Sequence, residues 1–121
     1  MSNQFGAVAG AVACRDQITS AQAWFADGER ISYDPKARAM VGGGDAPLRI
    51  FLRREGDPAQ VVSFLPGFPD GSFGWAKVQP NLPSAAEMPK LFLDYVGMGY
   101  SDKPKDYAYS TGERTDLVEA I

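Results

Sequence analysis

Two glycine- and proline-rich loops carry the residues whose types and spacing could do chemistry. One runs from Leu65 to Asp70 and the other from Asp94 to Pro104, each directly after an apolar stretch. A backbone that turns sharply off a buried strand leaves N–H groups at the strand's carboxyl end, where ligands bind in open parallel sheets. Fixed N–H donors there can stabilise an oxyanion without reorganising. An ordinary Pro-Gly turn between strand and helix is the alternative interpretation of the first loop.

Histidine is absent from the 121-residue sequence, which limits the chemistry further. No Ser-His-Asp or Cys-His relay and no His-ligated metal site can be assembled from this chain alone. The single cysteine, Cys14, excludes an internal disulfide and a Cys-cluster metal site. Any chemistry must use carboxylates, Lys, Tyr or backbone groups, or residues supplied from elsewhere. The sequence predicts no metal and no cofactor.

Together the two loops resemble the N-terminal third of an α/β-fold hydrolase, in the branch that contains epoxide hydrolases and haloalkane dehalogenases. Residues 65–69, then Trp75, then residues 94–104 stand at the spacing of that family. The second loop matches the pattern Asp-x-x-Gly-x-Gly-x-Ser-Asp-x-Pro position by position. The resemblance covers about residues 30–121. It implies a hydrolase that uses water on a small, largely apolar substrate: an epoxide, a haloalkane or an ester.

The resemblance also implies roles for residues of the first loop. The Phe68 N–H would be one of two oxyanion-hole donors, Gly67 would let the backbone approach closely, and Pro69 would follow a cis Phe68–Pro69 bond. The family's His in this loop is Pro66 here, which removes a side-chain partner and a backbone N–H from the loop. Many haloalkane dehalogenases carry a polar residue at position 68, so the Gly-Phe-Pro form leans toward epoxide hydrolases.

Other polar residues of the loops are interpreted as structural. Ser101 begins a pattern like Gly-x-Ser-x-Gly, but Lys103 stands where the strained turn requires Gly, so Ser101 is assigned to loop capping. Asp94 is interpreted as a carboxylate that accepts backbone N–H groups and braces its loop. Trp75 is expected to be structural and near the site. The resemblance implies that the nucleophile (Asp or Ser), its acid partner and the His all lie beyond Ile121.

The elements that would position these loops indicate an α/β fold, with an incomplete, doubly wound, mostly parallel sheet. The uniformly apolar run 61–65 predicts a central parallel strand with helices on both sides. A short helix is predicted around 73–79, with Trp75 and Val78 on its inner face. Strands are predicted over residues 30–33, 37–41, 48–54, 61–65 and 91–93.

The two ends of the chain give further expectations. Residues 1–28 are predicted to be an arm and a short helix, and residues 29–121 the hydrolase-like part. The first helix either docks its Trp24–Phe25 face on the protein or forms a lid or partner-binding helix. Ser110 or Thr111 is predicted to cap the last helix, with Glu113 near its third position. No stop signal precedes Ile121, which favours a truncated chain over a helix that frays at a natural terminus.

Composition restricts the partners. The chain is 45% hydrophobic and 22% charged with a net charge of −3, and it has no basic run, which makes it a poor nucleic-acid binder. The apolar stretch near the start is far shorter than the roughly 20 residues that span a bilayer, and no basic residue precedes it. We therefore expect a cytoplasmic protein. Its expected partners are a small-molecule substrate and, by self-association or pairing, a second copy or a C-terminal portion.

Two functions from different classes stay open. The first is an α/β-fold hydrolase of which this chain is the N-terminal part. The second is a non-catalytic fragment, truncated or complementing another chain, that lacks the nucleophile and the His.

Overall fold

The computed structural model describes residues 20–42 and 48–121. The predictions for the arm, including Cys14, lie outside the described residues. The described chain has short 3₁₀ turns at Pro58–Gln60, Ser72–Trp75 and Gln79–Asn81. Its helices and strands are α1 (Ala21–Ala26), β1 (Glu29–Asp34), β2 (Ala39–Met40), β3 (Leu48–Glu55), β4 (Val62–Phe64), β5 (Lys90–Leu93) and α2 (Thr111–Ala120).

The described strands form one mixed sheet in the order β2-β1-β3-β5-β4. Strands β1, β2, β3 and β5 pair antiparallel, and β4 pairs with β5 in parallel. The α/β character is therefore as predicted, whereas a doubly wound, mostly parallel sheet is not shown by these strands. The β4–β5 pair matters most for the candidate site, because both loops follow the carboxyl ends of these parallel strands.

Both faces of the sheet are buried along β3, where successive side chains alternate between faces. Ile50 belongs to an apolar cluster that includes Leu117 of α2. Phe51 belongs to a second cluster that includes Trp24 of α1. The two helices therefore lie against opposite faces, and each contributes one fully buried side chain to its cluster.

The second face also buries a charged residue, Arg53, whose side chain is 8% exposed. Its guanidinium contacts Asp27 at 2.7 Å and Glu55 at 3.1 Å, and it lies 4.5 Å from the centre of a Trp24 ring. Two carboxylates and an aromatic face thus replace much of the water that the guanidinium loses on burial.

The first helix spans six residues. It begins after Ser20, whose hydroxyl accepts the N–H of Ala23 at 3.2 Å, and it ends at Ala26. Trp24 is 1% exposed and donates its indole N–H to the Ser72 hydroxyl at 3.0 Å. The docking interpretation of this helix is therefore the one that the structure supports. The cap prediction for the last helix is confirmed, since the Ser110 hydroxyl accepts the N–H of Glu113 at 3.2 Å.

Two sequence predictions need correction. Residues 73–79 do not form one helix: Gly74 and Pro80 both disfavour a continuous helix, and the chain folds into two 3₁₀ turns instead. Val78 is 49% exposed rather than inward-facing. The apolar run 61–65 gives a strand at an edge of the described sheet, not at its centre, and Val62 is 45% exposed. Among the described residues, no helix is long and apolar enough to cross a membrane.

Candidate active site

The loop after β4 leaves the sheet at Leu65 and presents Phe68 to solvent. The Asp70 N–H donates to the Gly67 carbonyl at 2.8 Å, which closes a tight turn around Phe68 and Pro69. The Phe68–Pro69 peptide bond is cis, as the resemblance implied. Phe68 is 77% exposed.

The backbone of this turn offers a donor. Within residues 20–42 and 48–121, the Phe68 N–H donates no hydrogen bond to the protein. Its neighbour Pro69 has no N–H. A Cβ placed on Gly67 would meet nothing within 4 Å, so the face of the turn is open to an approaching molecule. The geometry therefore provides an N–H with no partner among the described residues, just beyond the carboxyl end of a parallel strand. Its role in an oxyanion hole stays a prediction.

Asp94 connects this loop to the loop after β5. Its side chain is fully buried, and its carboxylate accepts the N–H of Ser72 at 2.6 Å and the N–H of Tyr100 at 2.8 Å. Gly71 and Gly99 both lie against this carboxylate, and a Cβ on Gly99 would overlap it. One buried carboxylate thus fixes the spacing between the two loops, and it has no room for a role as a nucleophile.

Ser101 also serves the scaffold. Its hydroxyl donates to the Asp94 carbonyl at 2.7 Å and accepts the N–H of Phe51 at 2.9 Å, while the residue is 3% exposed. A hydroxyl that is buried and engaged on both sides cannot reach a substrate. Ser101 therefore ties the second loop to β3, in keeping with the loop-capping interpretation.

Asp102 fixes the same loop from the outside, a role that the sequence interpretation did not assign. Its carboxylate pairs with Arg30 of β1 and accepts the backbone N–H of Arg49 at 2.8 Å. Its backbone N–H donates to the Arg49 carbonyl at 3.0 Å, and its carbonyl accepts the N–H of Gly97 at 2.8 Å. No sequence signal points to the contacts with Arg30 and Arg49, because these residues lie far from Asp102 in the chain.

Trp75 packs beneath the first loop. Its indole N–H donates to the Leu65 carbonyl at 3.3 Å, and its ring lies 5.2 Å from the Phe64 ring, edge to face. A cavity of about 170 Å³ opens beside it. The volume is below the roughly 300 Å³ typical of small-molecule sites. The cavity is lined by Pro66, Gly67, Asp70, Gly71, Gly74, Trp75 and Val78.

A cation also stands beside the loop. The Arg114 guanidinium lies 5.9 Å from the centre of the Phe68 ring and 5.2 Å from that of the Tyr95 ring. Arg114 carries no sequence signal of this position, because nothing in a helix-start sequence indicates which loop a side chain faces. Within the described ranges, no three His, Cys, Asp or Glu residues lie together as metal ligands would.

Comparisons with known proteins support a hydrolase relationship. No protein-family model matches the chain. The chain is 33% identical over 91 residues to a Mycobacterium tuberculosis protein named "Putative hydrolase LipZ", a match that covers 72% of this chain and 31% of that protein. It is 37% identical over 78 residues to the "Mesoderm-specific transcript homolog protein" of Bos taurus, covering 61% of this chain and 23% of that protein. The chain thus spans less than a third of these relatives. Its sequence similarity and its mixed α/β fold point to a relationship with the α/β hydrolases.

Proposed function

We propose that this chain is the N-terminal part of an α/β-fold hydrolase of the epoxide hydrolase and haloalkane dehalogenase branch, which uses water on a small, largely apolar substrate. The observation that carries the proposal is the Phe68 N–H, which no described residue engages, at the carboxyl end of β4 and four residues before Ser72, where Asp94 holds the chain. The similarity to a mycobacterial protein named as a hydrolase supports the same reaction class.

In this proposal the chain supplies binding and electrostatic stabilisation. The Phe68 N–H faces the oxygen on which negative charge develops, and Gly67 leaves the space in which the substrate approaches. The bond-breaking groups are a nucleophile on an elbow after the next strand and a later His. Because the donor is held before the reaction, it stabilises the transition state without reorganising.

The reading frame downstream of Ile121 gives the first test. A strand followed by Gly-x-Asp-x-Gly or Gly-x-Ser-x-Gly, and then a late His, supports the proposal. A stop codon directly after Ile121 contradicts it.

Kinetics of Phe68 variants give the second test, in the protein that this frame encodes. Phe68→Leu keeps the N–H and should retain most of kcat. Phe68→Pro deletes the donor and should lower kcat on the order of 100-fold or more. Circular dichroism of both variants checks that they fold. Equal losses in two folded variants would show that the side chain, not the N–H, is what the position supplies.

A non-catalytic fragment is the second candidate function, and the absence of histidine favours it. Purified chain should then show no turnover of p-nitrophenyl butyrate or styrene oxide above background. No turnover is expected because no His-dependent relay can form within the chain. Saturable turnover that survives repurification would therefore contradict this alternative.

A further inference from the structure

Arg114 occupies an unusual place for a charged side chain. It stands in the first turn of α2 and is half-buried, with its guanidinium between the Phe68 and Tyr95 rings. Phe68 follows β4 and Tyr95 follows β5, so the ends of two parallel strands and the start of a helix converge on one cation. Tyr95 is 8% exposed and forms a fixed wall, whereas Phe68 is 77% exposed.

Among residues 20–42 and 48–121, no carboxylate forms an ion pair with Arg114. Arg30, Arg38 and Arg53 each pair with an aspartate, but none of the ion pairs among the described residues includes Arg114. Its side chain also donates no hydrogen bond to the described part of the chain. A ring face attracts a cation but satisfies none of the five guanidinium N–H donors.

We propose that Arg114 binds a carboxylate group of the substrate, so that the site takes a small apolar molecule with one negative charge. The planar guanidinium matches a carboxylate with two parallel hydrogen bonds. The guanidinium carbon lies 5.9 Å and 5.2 Å from the two ring centres, and in the proposed complex the exposed Phe68 ring contacts the apolar body of the same molecule. This inference rests on the proposed function for the reaction at Phe68, but the binding of the charge does not depend on it.

Asp70 limits where the carboxylate can lie. It lines the cavity beside Trp75 and accepts the Gly71 N–H at 2.9 Å, so that side of the loop already carries a negative charge. Arg114 contacts the Phe68 side. The charged end of the ligand should therefore lie toward α2, and its uncharged end toward the cavity.

The test compares a charged and a neutral probe of the same shape on the intact chain. Binding of phenylacetate and of phenylacetamide is measured from amide chemical shifts and from the Arg114 side-chain Nε–H signal. Phenylacetate should bind at least about tenfold more tightly, the effect of one well-formed charge-assisted pair. The difference should shrink with added salt, because the site is only half-buried.

Variants separate Arg114 from the overall charge of the protein. Arg114→Gln should abolish the preference for phenylacetate, and Arg114→Lys should keep part of it. Arg54→Gln removes an exposed arginine elsewhere and should change nothing. Equal binding of the two probes, no binding of phenylacetate, or a preference that survives in Arg114→Gln would each overturn the proposal. The reading-frame and Phe68 kinetic tests are independent of these outcomes, so the two proposals can fail separately.

Discussion

The carboxylate of Asp94 and the backbone N–H of Ser72 lie 2.6 Å apart, across the boundary between the two loops of the candidate site. The other carboxylate oxygen accepts the N–H of Tyr100 at 2.8 Å. Asp94 itself is fully buried. A buried, doubly hydrogen-bonded carboxylate of this kind costs free energy when either partner is lost, so the spacing of the loops depends on it.

Replacing Asp94 by Asn tests that dependence. The amide keeps one acceptor oxygen but turns an NH₂ group toward a backbone N–H, so one buried donor loses its partner. We expect the free energy of unfolding to fall by about 1–3 kcal/mol. Urea denaturation measures this, with Asp70→Asn as the matched control, since Asp70 is exposed and caps only Gly71. Equal effects of the two substitutions would contradict the bracing role.

Gly99 gives a second, steric test of the same contact. Its φ is +52°, and a Cβ would overlap the Asp94 carboxylate. Gly99→Ala should therefore lower the free energy of unfolding by at least about 2 kcal/mol, from backbone strain and from overlap. Gly67→Ala is the control, because nothing lies within 4 Å of its Cβ position, and it should change stability by less than about 0.5 kcal/mol. A Gly99→Ala protein as stable as Gly67→Ala would show that the loop relaxes freely.

Local sequence signals predicted much of this architecture. The apolar runs gave β4 and β5, and the Ser110–Glu113 spacing gave the start of α2, because strand and cap signals depend on near neighbours. The contacts of Asp102 with β1 and β3 were not predictable, because they depend on which strands pair and on residues far apart in the chain. For the same reason the sequence indicated a donor loop but not the cation beside it.

Tyr107 provides a prediction about pH. Burial, and then the nearby Glu113 carboxylate, raise the pKa of the Tyr107 phenol above its ordinary value near 10. The folded state therefore favours the neutral phenol. The neutral Tyr107 phenol contributes fully to the free energy of unfolding below pH 10, the ordinary phenol pKa. This contribution is lost as the pH rises toward the higher pKa of the folded state. Urea denaturation between pH 8 and about 11 should show a decline that is shallower in Tyr107→Phe.

Tyr33 separates this effect from general alkaline unfolding. Burial, and then Glu113, also raise the pKa of Tyr33, so part of the decline should remain in Tyr107→Phe and shrink further when Tyr33→Phe is added. A pH dependence identical in wild type and the double variant would rule out both phenols as its source.

The free edge of β4 predicts self-association of the chain. The Val62 N–H donates to the Pro89 carbonyl at 2.8 Å, toward β5, so strand alternation turns the backbone groups of Ser63 to the opposite edge. No described strand pairs there, and Val62 and Leu65 are 45% and 40% exposed beside it. An apolar edge with unpaired backbone groups and no Lys or Glu favours strand-to-strand pairing.

Light scattering across a concentration series should therefore show mass increasing with concentration. Val62→Lys should suppress the increase, because a charge on the edge opposes pairing. Val78→Lys, which adds the same charge to an exposed apolar position outside the strand, should leave the increase largely intact. A monomer at all concentrations, with the amides of residues 61–65 strongly protected from hydrogen exchange, would show that the chain closes this edge itself.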